Sequence, residues 1–411
     1  MTNQNPNENK FIVKLKNDNK NFKINMNHDP YWENDFLKDC PNYPFVPTIL
    51  PKTERIIVMG DIHGDYNLAV NSFKLAKLID DNYNWIAIPK NTVVVQVGDQ
   101  IDSCRPIRNV YSCTEPHNED TGHDMNVMIF FDDMHKKAHK YGGAVYSLIG
   151  NHELMNSQGL FGYVSHNNLY KFEYEDTVDN KKRKYTGIRG REKAFAPGGP
   201  VANNMGCTRN SVMIIGSNMF VHAGILPEII QKFHLMDVDE NTKLKYLNSI
   251  VRKWLLKKLI DKNDTSNLNN MFNDMDNLFW TRKLGEIGKN AKLDSVECSN
   301  SVKKTMDVFK IGQIVVGHSP QFIFKDNRGG INGTCEDQTG KKRLYRVDNG
   351  LSIAFNIFGK NINPIQVLEI LNDNEFNIIT DTNIRDIKIP DIGITTDNMD
   401  HVAKIFAPGR I

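Results

Sequence analysis

RIIVMGDIHG, residues 55–64, is a run of β-branched and aliphatic side chains that leads into a glycine and then into polar side chains. Such an apolar run is typical of a buried strand, and a glycine after it permits a positive φ or a close backbone approach. A tight turn can therefore aim Asp61 and His63 from the carboxyl end of the strand. The stretch predicts the first strand and ligand loop of an α/β protein.

Four later segments repeat this layout, and each ends in another side chain that can bind a metal. The runs are Val93–Val95 before Asp99, Val145–Ile149 before Asn151, Met219–Val221 before His222, and Ile314–Val316 before His318. Each run predicts a buried strand that delivers one ligand from its carboxyl end. Ligands that lie far apart in the chain are therefore expected to converge.

The intervening segments predict helices. Asp65 can cap a helix in which Leu68, Ser72 and Leu75 recur at helical spacing, and Asp124 precedes a second helical pattern. Residues 237–276 carry apolar residues at helical intervals and are interpreted as a helical insertion or cap. Short strands are expected between residues 312 and 358, which predicts a mixed sheet there.

Composition narrows the functional classes. The chain has 411 residues, a net charge of +2 and 40% hydrophobic residues, so a globular enzyme is expected and no nucleic-acid partner is indicated. Neither a signal peptide nor a membrane span is evident, which predicts a soluble cytoplasmic protein without a membrane partner. The oligomeric state cannot be predicted. The six cysteines form no close pair, so reduced thiols are expected, with a link between Cys104 and Cys113 as the alternative.

Two carboxylates, one amide and three imidazoles could hold two divalent metals. Metals about 3.5–4 Å apart need a bridging ligand, and the anionic carboxylate of Asp99 suits that position because it lowers the repulsion between the ions. Asp61 and His63 could chelate one ion, while Asn151, His222 and His318 would complete the pair. Mixed nitrogen and oxygen ligation favours Mn, Fe or Zn. For any single residue the alternative is an ordinary turn.

Acid catalysis and phosphate binding need further side chains. His152 beside Asp102 could stay protonated and act as the general acid for a leaving alkoxide, or both could merely serve a turn. Arg282 is the first candidate for holding phosphate oxygens, although it could instead stack on Trp280. Arg105 is a second candidate, and Asn151 is a further candidate for contacting the substrate.

Longer blocks carry a resemblance to a known family. GDIHGD, GDQID and GNHE resemble the phosphoprotein phosphatase branch of the calcineurin-like metallophosphoesterases. A narrower resemblance, to the Shewanella-like protein phosphatases, rests on six blocks that hold their order between residues 54 and 358: NHELMNSQGLFGYV (151–164), GREKAFAPGGPVA (190–202), MFVHAGILPE (219–228), LFWTR (278–282), VVGHSPQ (315–321) and YRVDNGLS (345–352).

The resemblance implies a four-layer α/β/β/α sandwich with two mixed sheets and a dinuclear metal centre that hydrolyses phosphorylated proteins or peptides. It places Asp61, His63 and Asp99 on the first metal, and Asp99, Asn151, His222 and His318 on the second. It makes His152 the acid that Asp102 orients and gives Arg282 the phosphate oxygens. The implied domains are a polar lead-in (1–53), a catalytic domain (54–358) and a C-terminal extension packed on the core (359–411).

One departure from the family pattern bears on activity. The family continues its second motif as Asp-Arg-Gly, whereas this chain has Asp102, Ser103, Cys104 and Arg105. The loss of a charge-assisted contact weakens the binding of a phosphate dianion. Two alternatives to a protein phosphatase therefore stay open: a dinucleoside polyphosphate hydrolase, which the segment around His318 also resembles, and a module that binds phosphoproteins without turnover.

Overall fold

Two six-stranded mixed sheets form the centre of the structure, a computed structural model that describes residues 29–381 except 108–110, 117–119, 121, 179–180, 232–237, 260, 274, 325–329 and 359–363. The α-helices of the described residues are α1 (Asp29–Asp39), α2 (Tyr66–Leu75), α3 (Asp124–His139), α4 (Asn151–Ser157), α5 (His166–Tyr170), α6 (Gly187–Phe195), α7 (Pro200–Thr208), α8 (Pro227–Gln231), α9 (Glu240–Leu255), α10 (Lys262–Asn273), α11 (Val296–Cys298) and α12 (Lys304–Phe309). The strands are β1 (Ile49–Leu50), β2 (Arg55–Met59), β3 (Val93–Gln96), β4 (Ala144–Leu148), β5 (Glu173–Val178), β6 (Lys181–Thr186), β7 (Arg209–Asn210), β8 (Val212–Ile215), β9 (Asn218–Val221), β10 (Gln313–Val316), β11 (Asn332–Glu336), β12 (Lys342–Arg346), β13 (Ile365–Leu371) and β14 (Glu375–Asp381).

Parallel neighbours lie at the middle of both sheets. The first sheet has the order β14-β13-β2-β3-β4-β7, in which β2, β3, β4 and β7 are parallel and β13 is antiparallel to β2. The second has the order β1-β8-β9-β10-β12-β11, in which β9, β10 and β12 are parallel. The five strands predicted to precede a metal ligand are confirmed, and within each sheet they are adjacent. β5 and β6 form a separate hairpin.

The alternation of side chains along β2 shows how the four layers arise. Ile56 and Val58 point to a core shared with Phe220 of the second sheet, whereas Ile57 packs against α2 and α3. On its other face the second sheet packs against α7, α9 and their neighbours. Because successive strand residues face opposite sides, each buried strand contributes to two cores. The predicted α/β/β/α sandwich is confirmed.

Local signals place the helices correctly. Asp65 caps α2, since its side chain accepts a hydrogen bond from the backbone nitrogen of Leu68 at 2.9 Å. The segment predicted as a helical insertion contains α9 and α10. Leu244 and Met271 from these helices are fully buried in the core outside the second sheet, so both helices help to build its outer helix layer. No helix within the described ranges combines the length and the apolar surface that a membrane crossing requires.

The core begins before Arg55, where the sequence predicted its start. Phe36 of α1 is buried, and Ile49 pairs with Ile214 as the edge of the second sheet. Arg252 of α9 binds Asp35 of α1 at 2.6 Å. The prediction was wrong because a few apolar residues in a polar, proline-rich segment are enough to dock it. Beyond residue 358, β13 and β14 extend the first sheet, while residues 382–411 lie outside the described part of the chain.

All six cysteines form disulfides, which corrects the expectation of reduced thiols. The pairs are Cys40–Cys207, Cys104–Cys113 and Cys298–Cys335, with Cα atoms 5.6, 5.8 and 5.7 Å apart. Two pairs join residues 167 and 37 positions apart in the chain, so spacing could not reveal them. Disulfides persist in oxidising compartments and are rare in the cytosol, so they argue against the cytoplasmic location predicted from the sequence.

Candidate metal centre

The strand ends of both sheets meet in one buried pocket. The loops after β2 and β3 are joined by hydrogen bonds from the backbone nitrogens of Ile62 and His63 to the carbonyl of Asp99, both 2.9 Å. The two sheets are connected where the backbone nitrogen of His318 donates to Asp61 Oδ2 at 3.0 Å. The six predicted metal ligands converge here and are all buried, with exposed fractions of 5% or less: Asp61, His63, Asp99, Asn151, His222 and His318.

Several residues of this pocket have an uncommon backbone conformation. His63, Asp99, Asp102 and His318 have φ values of 49°, 55°, 73° and 63°. Non-glycine residues seldom adopt this left-handed region, which costs on the order of 1–3 kcal/mol each and occurs often at functional sites. The surrounding fold therefore holds these side chains in place at a cost in stability.

Asp99 lies at the junction of two possible metal sites. Ligand atoms of His63, Asp99 and His152 lie within 4.8 Å of one another, and so do those of Asp99, His222 and His318. Asp99 belongs to both groups, and a carboxylate can offer one oxygen to each of two ions. Although burial opposes its charge, the histidines His222 and His152 hold the pKa of Asp99 well below its usual range.

Three hydrogen-bond acceptors meet at His222. Its Nδ1 lies 2.9 Å from the carbonyl oxygen of Val97, which can only accept, so Nδ1 carries the proton. Nε2 then faces Asn151 Oδ1 at 2.9 Å and Asp99 Oδ2 at 3.2 Å, both acceptors. A positive charge at Nε2 reconciles these contacts, either a second proton on the ring or a metal ion held between the three groups. Burial opposes a proton at this place, but Asp99 raises the pKa of His222 above its usual value, and a divalent metal would compete with that proton.

His63 and His318 are also oriented by carbonyl groups. His63 Nδ1 lies 3.2 Å from the carbonyl oxygen of Ile101, and His318 Nε2 lies 3.1 Å from that of Trp280. The other ring nitrogen of each therefore has a free lone pair, which is how metal-binding imidazoles are arranged. Burial, followed by Arg105 for His63 and by His222 for His318, lowers the pKa of both rings well below the usual value. Both rings are neutral, as metal ligation requires.

The carboxylates of the pocket have too few partners of their own. Burial, then Asp348 and Asp99, raises the pKa of Asp61 well above its usual value. Asp348 is buried; its Oδ1 accepts from the backbone nitrogen of Gly350 at 3.0 Å, while its Oδ2 has no partner. Burial raises its pKa to about 6. These donors are carboxylate, amide and imidazole groups without thiolate, and they fit two divalent ions such as Mn, Fe or Zn.

His152 and Asp102 form a hydrogen-bonded pair beside this pocket. His152 Nδ1 lies 2.8 Å from Asp102 Oδ2, and its Nε2 lies 3.8 Å from Asp99 Oδ2. The Tyr163 ring and the imidazole of His152 are packed edge to face, with their centroids 5.1 Å apart. The pair has the geometry of an acid whose ring is oriented by a carboxylate, with Nε2 directed toward the metal pocket.

Two arginines lie at the rim. Arg282 is exposed and donates from Nη1 to the carbonyl oxygen of His318 at 3.1 Å. Half-buried Arg105 donates to the carbonyl oxygens of Asp102 at 3.0 Å and Cys104 at 2.8 Å. Its guanidinium lies over the Phe355 ring at 4.6 Å from the centroid. Burial lowers the pKa of Arg105, whereas the pocket carboxylates, Asp99 first, raise it, which places its charge close to them.

Ser103, which stands where the family motif has an arginine, makes contacts within its own loop. Ser103 Oγ accepts a hydrogen bond from Asn168 Nδ2 at 3.2 Å, and the Cβ of Ser103 would lie 3.0 Å from a Cβ added to Gly64. Ser103 is therefore packed into the loop, and Arg105 two residues later brings a guanidinium to the rim.

Sequence reasoning overlooked three buried groups. Glu153 accepts from the backbone nitrogens of Gln100, Asp99 and Gly150 at 2.8, 3.0 and 2.8 Å and so holds the Asp99 turn. Asp348 faces the metal pocket, and Arg191 lies beneath Asp102. Each belongs to a block that was quoted for the resemblance, GNHE, YRVDNGLS and GREKAFAPGGPVA, so the blocks themselves were the available signal.

Comparison with known proteins places this pocket in context. The sequence profile described as calcineurin-like phosphoesterase matches residues 54–359. An uncharacterised protein R398 of Acanthamoeba polyphaga mimivirus is 52% identical over 254 residues, 62% of this chain and 98% of that protein. Shewanella-like protein phosphatase 2 of Arabidopsis thaliana is 26% identical over 386 residues, 87% of this chain and 83% of that protein.

A solved structure shares the fold. The crystal structure of a cold-active protein-tyrosine phosphatase of a psychrophilic Shewanella species superposes with a TM-score of 0.50 at 19% identity, over 82% of this chain and 84% of that one. At this level of identity the likeness concerns the fold alone.

Proposed function

The chain belongs to the calcineurin-like phosphoesterase family, and from this premise we propose that it is a phosphomonoester hydrolase that uses two divalent metals and acts on phosphorylated proteins. The contact among His222 Nε2, Asn151 Oδ1 and Asp99 Oδ2 carries the proposal, because a divalent cation can take the place of a proton among these three groups. A protein substrate is supported by the name of the Arabidopsis relative, a protein phosphatase.

In this proposal the pocket binds its metals through two sets of ligands. Asp61, His63 and Asp99 would hold the first ion. The second ion would share Asp99 and take the remaining predicted ligands: Asn151, His222 and His318. When bound, two such ions would supply a water molecule of lowered pKa as the nucleophile near neutral pH.

The protein's own groups then handle the substrate. Arg282 and Arg105 bind phosphate oxygens from two sides of the rim, because a guanidinium forms strong charge-assisted hydrogen bonds with a dianion. Asn151 is placed to contact the same oxygens. His152 donates the proton on Nε2 to the departing alkoxide, and Asp102 holds the ring through Nδ1. Because the ligands are buried, the access of bulk water to the pocket is limited.

The test is hydrolysis by purified, metal-loaded protein. In buffer with Mn²⁺ the protein is expected to release phosphate from a phosphopeptide, and the activity should disappear after chelation and return when Mn²⁺ is added again. Fe²⁺ and Zn²⁺ in place of Mn²⁺ would rank the metals. An absence of phosphate release with all three metals, from protein shown to contain them, would exclude the proposed activity.

The same assay separates the alternatives. Faster turnover of a dinucleoside tetraphosphate than of phosphopeptides would favour a polyphosphate hydrolase. Binding of phosphopeptide without turnover, together with a gain of activity in Ser103→Arg, would favour a phosphoprotein-binding module. The position of Arg105 supports the enzyme, since its hydrogen bond to the carbonyl oxygen of Asp102 brings a guanidinium to the rim, where the arginine is missing at residue 103.

A further inference from the structure

A second buried charge cluster lies directly beneath the His152–Asp102 pair. Its centre is Arg191 of α6, which has no exposed surface. The guanidinium donates from Nη2 to Asp124 Oδ2 at 2.8 Å and to Asp102 Oδ1 at 3.4 Å, and from Nε to Asn156 Oδ1 at 2.8 Å. One cation thus serves two carboxylates and one amide.

The side chain and the backbone nitrogen of Asp102 are held by this cluster. Asn156 Nδ2 donates to Oδ1 and Oδ2 of Asp102 at 2.9 and 3.0 Å, and the backbone nitrogen of Asp102 donates to Asp124 Oδ1 at 3.0 Å. Oδ2 also accepts from His152 Nδ1. Asp102 also has a left-handed backbone, which a free loop would not keep. The cluster therefore determines the orientation of this carboxylate.

The guanidinium itself is fixed by aromatic rings. It lies over the ring of Phe195 at 4.6 Å and over that of Phe172 at 5.9 Å, measured to the centroids. A planar guanidinium held in this way can donate in several fixed directions at once, which a lysine ammonium cannot reproduce. Arg191 is linked to Asp102 directly and also through Asn156, so a small rotation of its guanidinium would disturb two contacts of the carboxylate.

We propose that Arg191 is a positioning residue for the general acid: with Asn156 it holds the Asp102 carboxylate in the orientation that bonds His152 Nδ1, so that Nε2 is presented to the leaving oxygen. The inference rests on the proposed phosphatase activity. Among the described residues, no hydrogen bond joins Arg191 to a predicted metal ligand; besides Asp102 it bonds Asp124, Asn156 and, at 3.3 Å, the carbonyl oxygen of Asn168. Its effect on the acid is therefore expected through Asp102 and the residues that hold it. An arginine that only stabilised the fold would slow all substrates by the same factor.

The chemistry of the leaving group distinguishes the two roles. An alkoxide from a phosphoserine peptide needs a proton as the bond to phosphorus breaks, whereas p-nitrophenolate departs without one. A defect in the acid therefore slows phosphoserine hydrolysis far more than p-nitrophenyl phosphate hydrolysis. The ratio of the two kcat values reports on His152 and is insensitive to a general loss of folded enzyme.

The experiment measures this ratio in metal-loaded parent, Arg191→Gln, Arg191→Lys and Asp102→Asn. We expect Arg191→Gln to lower kcat on the phosphoserine peptide by at least about tenfold more than kcat on p-nitrophenyl phosphate, with the same pattern in Asp102→Asn. Arg191→Lys keeps the charge and should recover part of the loss. Equal losses on both substrates, or full activity in Arg191→Gln, would overturn the proposal.

Arg346→Gln is the matched control. Arg346 is also fully buried, and it donates to the carbonyl oxygen of Gly285 and to Asn332, far from the acid pair in its contacts. Its loss should lower stability and reduce both activities by one factor. If Arg191→Gln does not fold, Asn156→Ala breaks the bridge between Arg191 and Asp102 and should change the ratio in the same direction.

A measurement independent of turnover completes the test. In metal-free protein labelled with ¹⁵N-histidine, the Nδ1 proton of His152 should give a low-field NMR signal that is absent in His152→Gln. We expect Arg191→Gln to shift or broaden it, and an unchanged signal would contradict the proposal. If the metal-loaded parent hydrolyses neither substrate, the proposed function fails, and this signal still decides the role of Arg191.

Discussion

Two buried groups of carboxylates lie side by side in this protein, and they solve the same electrostatic problem differently. The first group, the balanced pocket, consists of Asp102 and Asp124, which share the guanidinium of Arg191. In the metal pocket, Asp61 and Asp348 receive only backbone hydrogen bonds, and no lysine or arginine among the described residues donates to either. Buried charges need a counter-charge. The comparison teaches that a pocket whose carboxylates have no cationic side chain bonded to them is suited to an external cation.

The difference between the two pockets is tested most directly at Asp99, the carboxylate common to both predicted metal sites. Asp99→Asn is expected to lower kcat by at least about a thousandfold, because a neutral amide cannot bridge two ions that supply several kcal/mol of catalysis. Metal content per protein, measured by plasma mass spectrometry, should fall in parallel.

Asp124→Asn serves as the counterpart of Asp99→Asn in the balanced pocket. It should retain the full metal content, since Asp124 contacts Arg191 and the backbone of Asp102 rather than a predicted ligand. Loss of metal in Asp124→Asn to the same extent as in Asp99→Asn would mean that the two pockets are not separate.

Removing a rim arginine should have the next largest effect. Arg105→Met and Arg282→Met are each expected to raise KM for a phosphopeptide by about ten- to a hundredfold, the value of a charge-assisted hydrogen bond to a dianion. Lys283→Met is the control, because Lys283 is exposed beside Arg282 but binds Asp276. Unchanged KM in Arg105→Met would show that nothing replaces the arginine absent at residue 103.

The cost of burying a carboxylate without a cationic partner can be measured at Asp348 in metal-free protein. Burial raises its pKa to about 6, so the folded protein holds a proton that the unfolded chain releases near pH 4. Stability is therefore lost as pH rises from about 4 to 6 and stays lower above that range. Asp348→Asn lacks this loss and should unfold in urea with a free energy higher by about 3 kcal/mol at pH 7.

At pH 4 the difference between Asp348→Asn and the parent should vanish. Asp124→Asn should gain less stability at pH 7 than Asp348→Asn, because burial raises the pKa of Asp124 to about 6 as well but the substitution also removes the acceptor of Arg191. An equal change in unfolding free energy for both substitutions would remove the distinction between the pockets.

The smallest effect is expected at the disulfide beside the rim. Replacing Cys104 and Cys113 by serine frees the loop whose Cys104 carbonyl accepts from Arg105. KM should rise by about two- to tenfold, the range expected from the cost of ordering a freed segment on binding, with kcat nearly unchanged. The same replacement at Cys298 and Cys335, whose bridge lies away from the rim residues, should leave KM unaltered.

Much of the fold and of the site could be predicted because the signals are local. A run such as Ile56–Val58 is apolar on both faces and must be buried on both, which already specifies a central strand. The glycine and polar residue at the end of each run then predict where the ligands meet. Asp65 as a helix cap followed from the same short-range reasoning, and the structure agrees. The contact of His152 with Asp102 was predicted because each residue lies beside a ligand motif, and the two side chains are hydrogen-bonded in the structure.

Other features depended on partners that are distant in the chain. The Cys40–Cys207 disulfide and the docking of α1 on α9 arise from contacts across more than 160 residues, and no spacing rule covers such distances. Arg191 could not be assigned because an isolated arginine in a polar stretch is usually exposed. Only the packing of α6 shows that it is buried under Asp102.

The sequence by itself determined the strands, the ligand types and their order, since these depend on the hydrophobic pattern and on the chemistry of single residues. The tertiary structure alone decided which buried charges are neutralised from within and which are left for a metal. The physical reason is that the energy of a buried charge depends on the distance to its counter-charge, and that distance is set by packing rather than by position in the chain.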